Sequence, residues 1–217
     1  MYKSVFPVFL LLLLTLPQTA QVLAADIPVL PYAEVSVATE GPLSLLCTPD
    51  GSGIPFTQAF DSTGQPVDGT ITMTLYDDSP PWGNPVAYFP AEDIWLEDMT
   101  GSLIMCLAGT IPDGDTDANG TTTWTRALYA GGHIEPAGGN QLWIMVMGGR
   151  IEGGDLPDFR LNSADLNGDL VVNLTDVAHF TMGFYGSYSY TNDLHWDGSI
   201  NLSDLGELAR AIGATCP

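Results

Sequence analysis

The stretch DLNGDLVVNLTD, residues 165–176, sets oxygen-bearing side chains at alternating positions, and DLHWDGSINLSD, residues 193–204, repeats the pattern 28 residues later. Calcium is a hard cation that takes six to eight oxygen ligands at about 2.3–2.6 Å. A short loop supplies them from side chains at positions 1, 3 and 5, a main-chain carbonyl at 7 and a carboxylate at 12. The first copy offers Asp165, Asn167, Asp169, the carbonyl of Val171 and Asp176; the second offers Asp193, His195, Asp197, the carbonyl of Ser199 and Asp204. Asn173 and Asn201 hold position 9, and Val172 and Ile200 hold position 8, where paired loops are expected to touch through a short bridge. Two departures stand out. Leu170 replaces the glycine usual at position 6, where the backbone favours positive φ. His195 puts an imidazole at position 3, a poor calcium ligand that would better suit a transition metal. The two sites are therefore expected to differ in affinity. A metal-free reading also exists, in which Asp176 and Asp204 are only helix caps.

Each loop runs directly into a helical pattern. Val177, Phe180 and Phe184 recur at helical spacing after the first, and Leu205, Leu208, Ala209 and Ile212 after the second, with Gly213 as a stop signal. This is an internal duplication. The residues DLNGDLVVNLTDVAHF and DLHWDGSINLSDLGELARAIG are similar to dockerin repeats, which follow D-x-N-x-D-G-x-V/I-N-x-x-D-L and enter a helix with no helix before the loop. The resemblance covers residues 160–217. It implies a small helical module, folded by calcium, that docks onto a cohesin-type or other extracellular or cell-surface protein. It also assigns recognition to Leu174, Thr175, Leu202 and Ser203, and further along to Met182 and Arg210.

The elements that precede the module are of another kind. Residues 27–158 alternate apolar and polar side chains in short runs, as in ITMTLY (71–76), SLIMCLAG, TTTWTRALYA and QLWIMVMGG. Gly, Pro, Asn and Asp clusters separate these runs. Short strands at this spacing predict a β-sandwich. DSTGQPVDGTITMTLYD and TDANGTTTWTRALYAGG resemble the GxPVxG and DANGxxxxxxL strands of bacterial immunoglobulin-like domains of invasin type, over roughly residues 60–147. The expected fold is thus mainly β: an Ig-like sandwich over 27–158, followed by a dockerin-like module over 160–217.

Other constellations carry less chemistry. DTDANGTTTWTR (115–126) begins like a calcium loop, but position 12 is Arg126, so a tight turn explains it better. The acids of AEDIWLED could be imagined as a glycosidase pair, yet they flank Ile94 and Leu96 on what reads as an exposed strand. The three histidines, His133, His179 and His195, are scattered. No enzymatic role is expected. Trp82, Trp95, Trp124 and Trp143 leave a carbohydrate-binding sandwich as the alternative, linked to extracellular polysaccharide degradation. Trp82 in SPPWGNP reads as the most exposed of them, and Trp143 as core.

Residues 1–24 read as a secretory signal: one lysine, an apolar run from Val5 to Leu16, then Val22 and Ala24 before Ala25. Export to the medium or cell surface is expected, with no membrane anchor after signal removal. The chain holds 5 Lys and Arg against 26 Asp and Glu, a net charge of −21. That balance argues against nucleic acid and anionic membrane as partners. Of three cysteines, Cys47 and Cys106 lie in strand-like runs and are the preferred disulfide, with Cys216 as the alternative partner.

Overall fold

In the computed structural model, residues 33–78, 83–134, 141–151 and 156–217 are described. The expected signal segment and Trp82 lie outside them. In chain order the strands are β1 (Glu34–Val37), β2 (Leu43–Cys47), β3 (Ala59–Phe60), β4 (Pro66–Val67), β5 (Ile71–Thr74), β6 (Ile94–Asp98), β7 (Leu103–Met105), β8 (Thr121–Trp124), β9 (Ala130–Gly132), β10 (Leu142–Val146), β11 (Gly149–Arg150) and β12 (Phe159–Ser163). Two helices follow, α1 (Leu174–Phe184) and α2 (Leu202–Ala211). The protein is mainly β.

Period-2 patterning explains the strands. In β5, Ile71 and Met73 are fully buried while Thr72 and Thr74 keep partial exposure. Strand β10 buries Leu142, Ile144 and Val146, which turns Trp143 to the opposite face. Trp143 is therefore not the core residue its apolar neighbours suggest. The Arg150 guanidinium lies 3.3 Å from its ring centroid instead. Trp124 takes the core position, and its Nε1–H donates to the Thr110 carbonyl at 2.9 Å.

The strands form four small sheets, ordered β1-β5-β8, β11-β10-β6, β12-β2-β3-β4 and β7-β9. Strand β2 reads LSLLC and is buried at every residue. Leu43, Leu45 and Cys47 join the main core, whereas Leu46 joins a second core with Ala164, Val172, Phe180, Leu194, Leu208, Ala211 and Ala214. A strand covered on both faces has no need of polar alternation. Its neighbour β12 pairs with it in parallel, from Phe159 opposite Leu43 to Ser163 opposite Cys47. The boundary at 158–160 thus coincides with a strand of the body sheet, and the loops and helices that follow pack on that sheet's second face.

The disulfide departs from the expected pairing. Cys106 bonds Cys216, 110 residues away, and Cys47 is a free, buried thiol. Sequence proximity to apolar strands misled here, because Cys47 ends β2 with its side chain in the main core. Burial alone pushes the Cys47 thiol up to about 12. The C-terminal tail travels to the body instead: Val171 bridges Thr215, which carries Cys216 to the end of β7. That tail also takes the backbone bonds expected to bridge Val172 to Ile200, while Ile200 packs against the same second core. The Val172 N–H donates to Ala214 at 2.9 Å and its carbonyl accepts from Gly213 at 2.9 Å.

Candidate metal centre

Both loops share the same main wiring at an offset of 28 residues. The position-12 carboxylate accepts from the backbone N–H groups of positions 3 and 9. In the first loop, Asp176 Oδ1 takes Asn167 at 3.3 Å and Oδ2 takes Asn173 at 2.8 Å. In the second, Asp204 Oδ1 takes His195 at 2.9 Å and Oδ2 takes Asn201 at 2.7 Å. The position-1 carboxylate accepts from the turn. Asp165 receives Gly168 at 2.9 Å, Asp169 at 3.2 Å and Leu170 at 2.6 Å. Asp193 receives Asp197 at 3.2 Å and Gly198 at 2.9 Å.

The backbone that makes this possible has positive φ at positions 4 and 6 of both loops: +72° at Gly168 and +66° at Leu170, +58° at Trp196 and +81° at Gly198. Each copy keeps one glycine of the two, and the copies keep different ones. Leu170 is therefore no break in the motif. It adopts the left-handed conformation at a cost of about 1–2 kcal/mol.

Asn173 and Asn201 end the loops as helix N-caps. Their Oδ1 atoms accept from the N–H groups of Thr175 and Ser203, both at 2.7 Å, and Asp176 and Asp204 close the reciprocal half of a capping box. The caps are thus the asparagines, with the aspartates at the third helical position. At position 5, Asp169 Oδ1 accepts from the Val171 N–H at 3.0 Å and Asp197 Oδ1 from the Ser199 N–H at 2.9 Å. Asn167 Nδ2 donates to Asp169 Oδ2 at 2.9 Å. His195 Nδ1 lies 3.7 Å from Glu207, which also pairs with Arg210.

Asp165, Asp176, Asp193 and Asp204 expose at most 1 % of their surface, and among the described residues none of them enters an ion pair. Burying a carboxylate without a counter-charge costs several kcal/mol. Burial accordingly raises the Asp165 carboxyl above its ordinary value, and the charges of Asp176 and Asp169 add to this while the Leu170 and Asp169 amides oppose it. Asp193 is raised for the same first reason, with Asp204 and Asp197 adding to it. Among the described residues, no three acidic, histidine or cysteine side chains converge as a finished metal cage. The oxygens that would face an ion are held on backbone amides.

The fit to calcium differs between loops. The first presents oxygen donors alone, in the order a hard cation takes. The second matches it except at His195. Three residues outside the ligand pattern also shape the sites. Gly131 leaves the space that the Asp165 carboxylate fills: a Cβ there would lie 1.9 Å from Asp165 Oδ2. The Tyr188 hydroxyl donates to Asp193 Oδ2 at 2.9 Å. Arg160 lines a cavity of about 130 Å³ with Tyr188, Asp193 and Trp196. No signal along the chain marks Gly131, since it acts through a strand 34 residues before Asp165.

The acids outside the loops have structural work. Asp98 accepts from Thr100, Ser102 and Leu103 N–H groups at 2.8–2.9 Å and turns the chain from β6 into β7. Asp117 accepts from Asn119 and Thr121 N–H groups at 2.8 and 2.9 Å in the turn entering β8. No protein-family model matches the chain, and neither the curated proteins nor the solved structures contain a match.

Proposed function

We propose that the chain is an exported, non-enzymatic attachment protein. Its C-terminal pair of loops forms a calcium-binding module, and helices α1 and α2 dock onto a cohesin-type or other extracellular or cell-surface protein. The observation that carries the reading is the duplicated wiring around four buried carboxylates that enter no ion pair among the described residues. Such charge is tolerable when a divalent ion supplies the missing positive charge. The helices support the docking half. Leu174, Met182 and Leu202 are 80, 75 and 74 % exposed, and Thr175, Ser203 and Arg210 are exposed beside them. Phe180, Phe184, Tyr185, Leu202 and Leu205 line an apolar groove between the helices. Exposed apolar surface gathered in one place marks an interaction site more than a solvated face.

Under this reading the body is an Ig-like sandwich and residues 160–217 form a dockerin-like module that also serves as a calcium-stabilised cap, because the second core includes Leu46 of β2. Calcium at one hundred times its Kd stabilises the folded chain by about 2.7 kcal/mol per site. The test is a thermal unfolding series of the intact chain in calcium and in chelator. A rise in midpoint with calcium that magnesium does not reproduce is expected; identical midpoints would refute the calcium half. Binding to a cohesin-type domain, lost on Leu174→Asp and Leu202→Asp, tests the docking half.

One observation favours a second reading, a carbohydrate-binding body. Trp95 lies opposite Met145 across the β6–β10 ladder, so Trp95 and Trp143 share its outer face. Retention on insoluble polysaccharide, abolished by Trp95→Ala with Trp143→Ala, would support it. Absence of retention removes it.

A further inference from the structure

The two loops share a backbone but not an electrostatic environment. The side-chain carboxylates of the first loop, Asp165, Asp169 and Asp176, receive hydrogen bonds only from groups within the loop, among the described residues. The second loop is served from outside. The Tyr188 hydroxyl donates to Asp193 Oδ2, one of the oxygens an ion at position 1 would need. Arg160 lines, from β12, the cavity that Asp193 lines, and its Nε is buried with no hydrogen-bond partner among the described residues. Counted from position 1, Tyr188 and Arg160 are equivalent residues, each five places before its own loop. Both are gathered at the second loop. At position 3, His195 turns its imidazole toward Glu207, 3.7 Å away, and contributes only its backbone N–H to Asp204.

We propose that the second loop is set by the protein itself, with the Tyr188 hydroxyl on the Asp193 oxygen that an ion would need, and that the chain takes a single calcium, at the first loop. This rests on the calcium reading above. Physically, the hydroxyl donor stabilises the Asp193 carboxylate, and the guanidinium that lines the same cavity adds positive potential beside it. An entering ion would have to displace the hydroxyl, face the guanidinium's charge and coordinate with one side-chain oxygen fewer. At the first loop no side-chain donor sits on the position-1 carboxylate, among the described residues. The division suits the fold. The second loop keeps its shape, and hence the placement of α2, whether calcium is present or not, so the metal governs the part nearest β9 and the disulfide.

The test is a calorimetric calcium titration of the intact, disulfide-bonded chain stripped with chelator, with circular dichroism to confirm that each variant is folded. One ion per chain is expected. Asp165→Asn should abolish uptake. Asp193→Asn should keep one ion with affinity within about threefold of the parent, and its unfolding midpoint should still rise with calcium by the parent's increment. Tyr188→Phe combined with His195→Asn should take up two ions. Two ions in the parent, one lost with each aspartate, would overturn the proposal and leave the calcium reading standing. So would one ion lost through Asp193→Asn alone. No uptake by the folded parent would remove the calcium reading, and this inference with it.

Discussion

Gly131→Ala isolates the contact between the body and the first loop. Gly131 sits in β9 without a positive φ, so alanine is acceptable to its backbone. The added Cβ would lie 1.9 Å from Asp165 Oδ2, 2.8 Å from its Cγ and 3.3 Å from its Cβ. Rotation of the carboxylate is the only local relief, and it breaks the bonds from the Gly168, Asp169 and Leu170 amides. Hydrogen bonds to a charged group contribute about 1.5–3 kcal/mol each. Loss of one or two of the three predicts a destabilisation of about 3 kcal/mol, against the usual gain of about 0.4–1 kcal/mol for Gly→Ala at a compatible site. Calcium affinity should fall at least about tenfold, since position 1 no longer faces the ion. Gly206→Ala is the control. Nothing lies within 4 Å of its added Cβ, it sits inside α2, and alanine there should stabilise by about 0.8–1 kcal/mol. Urea unfolding in calcium and in chelator, with a calcium titration, reads both variants. A Gly131→Ala chain as stable as the parent, with unchanged affinity, would refute the placement of Asp165 against β9.

Leu170→Gly should relieve the left-handed residue of the first loop and gain about 1 kcal/mol, measured as tighter calcium binding; weaker binding would mean that the leucine's packing outweighs its backbone cost. Cys216→Ser opens a closure of 110 residues and should cost up to about 4.7 kcal/mol by chain entropy, with the loss seen in denaturant midpoint and in calcium affinity together, because the tail pairs with Val171 and Val172. Acid should separate calcium from chelator. The folded Asp165 and Asp193 carboxyls stand above the ordinary 3.8, chiefly through burial, so the folded state holds more protons just above that pH and their contribution to stability falls as pH rises through the window. Calcium needs the ionised forms, so the calcium-minus-chelator difference in midpoint should grow from about pH 4 upward; a difference independent of pH would contradict the buried carboxylates.

The sequence by itself determined the local chemistry. Spacing alone located both loops, their starting aspartates and the helices after them, because one loop's hydrogen bonds run between residues no more than about a dozen apart and a helix reports its buried face at 3 and 4. It also determined that the body is made of strands, through alternation as plain as that of β5. What it left open was every relation between distant segments. The pairing of Cys106 with Cys216, the turning of Trp143 away from the core, the seat of Asp165 against Gly131 and the approach of Tyr188 and Arg160 to Asp193 all depend on which strands neighbour one another. Strand β2 shows why: a run buried on both faces reads simply as apolar, and carries no mark of the second core that its Leu46 builds with the helices. Local patterns are written in periodicity, whereas the partner of a fully buried surface is chosen by packing of the whole chain.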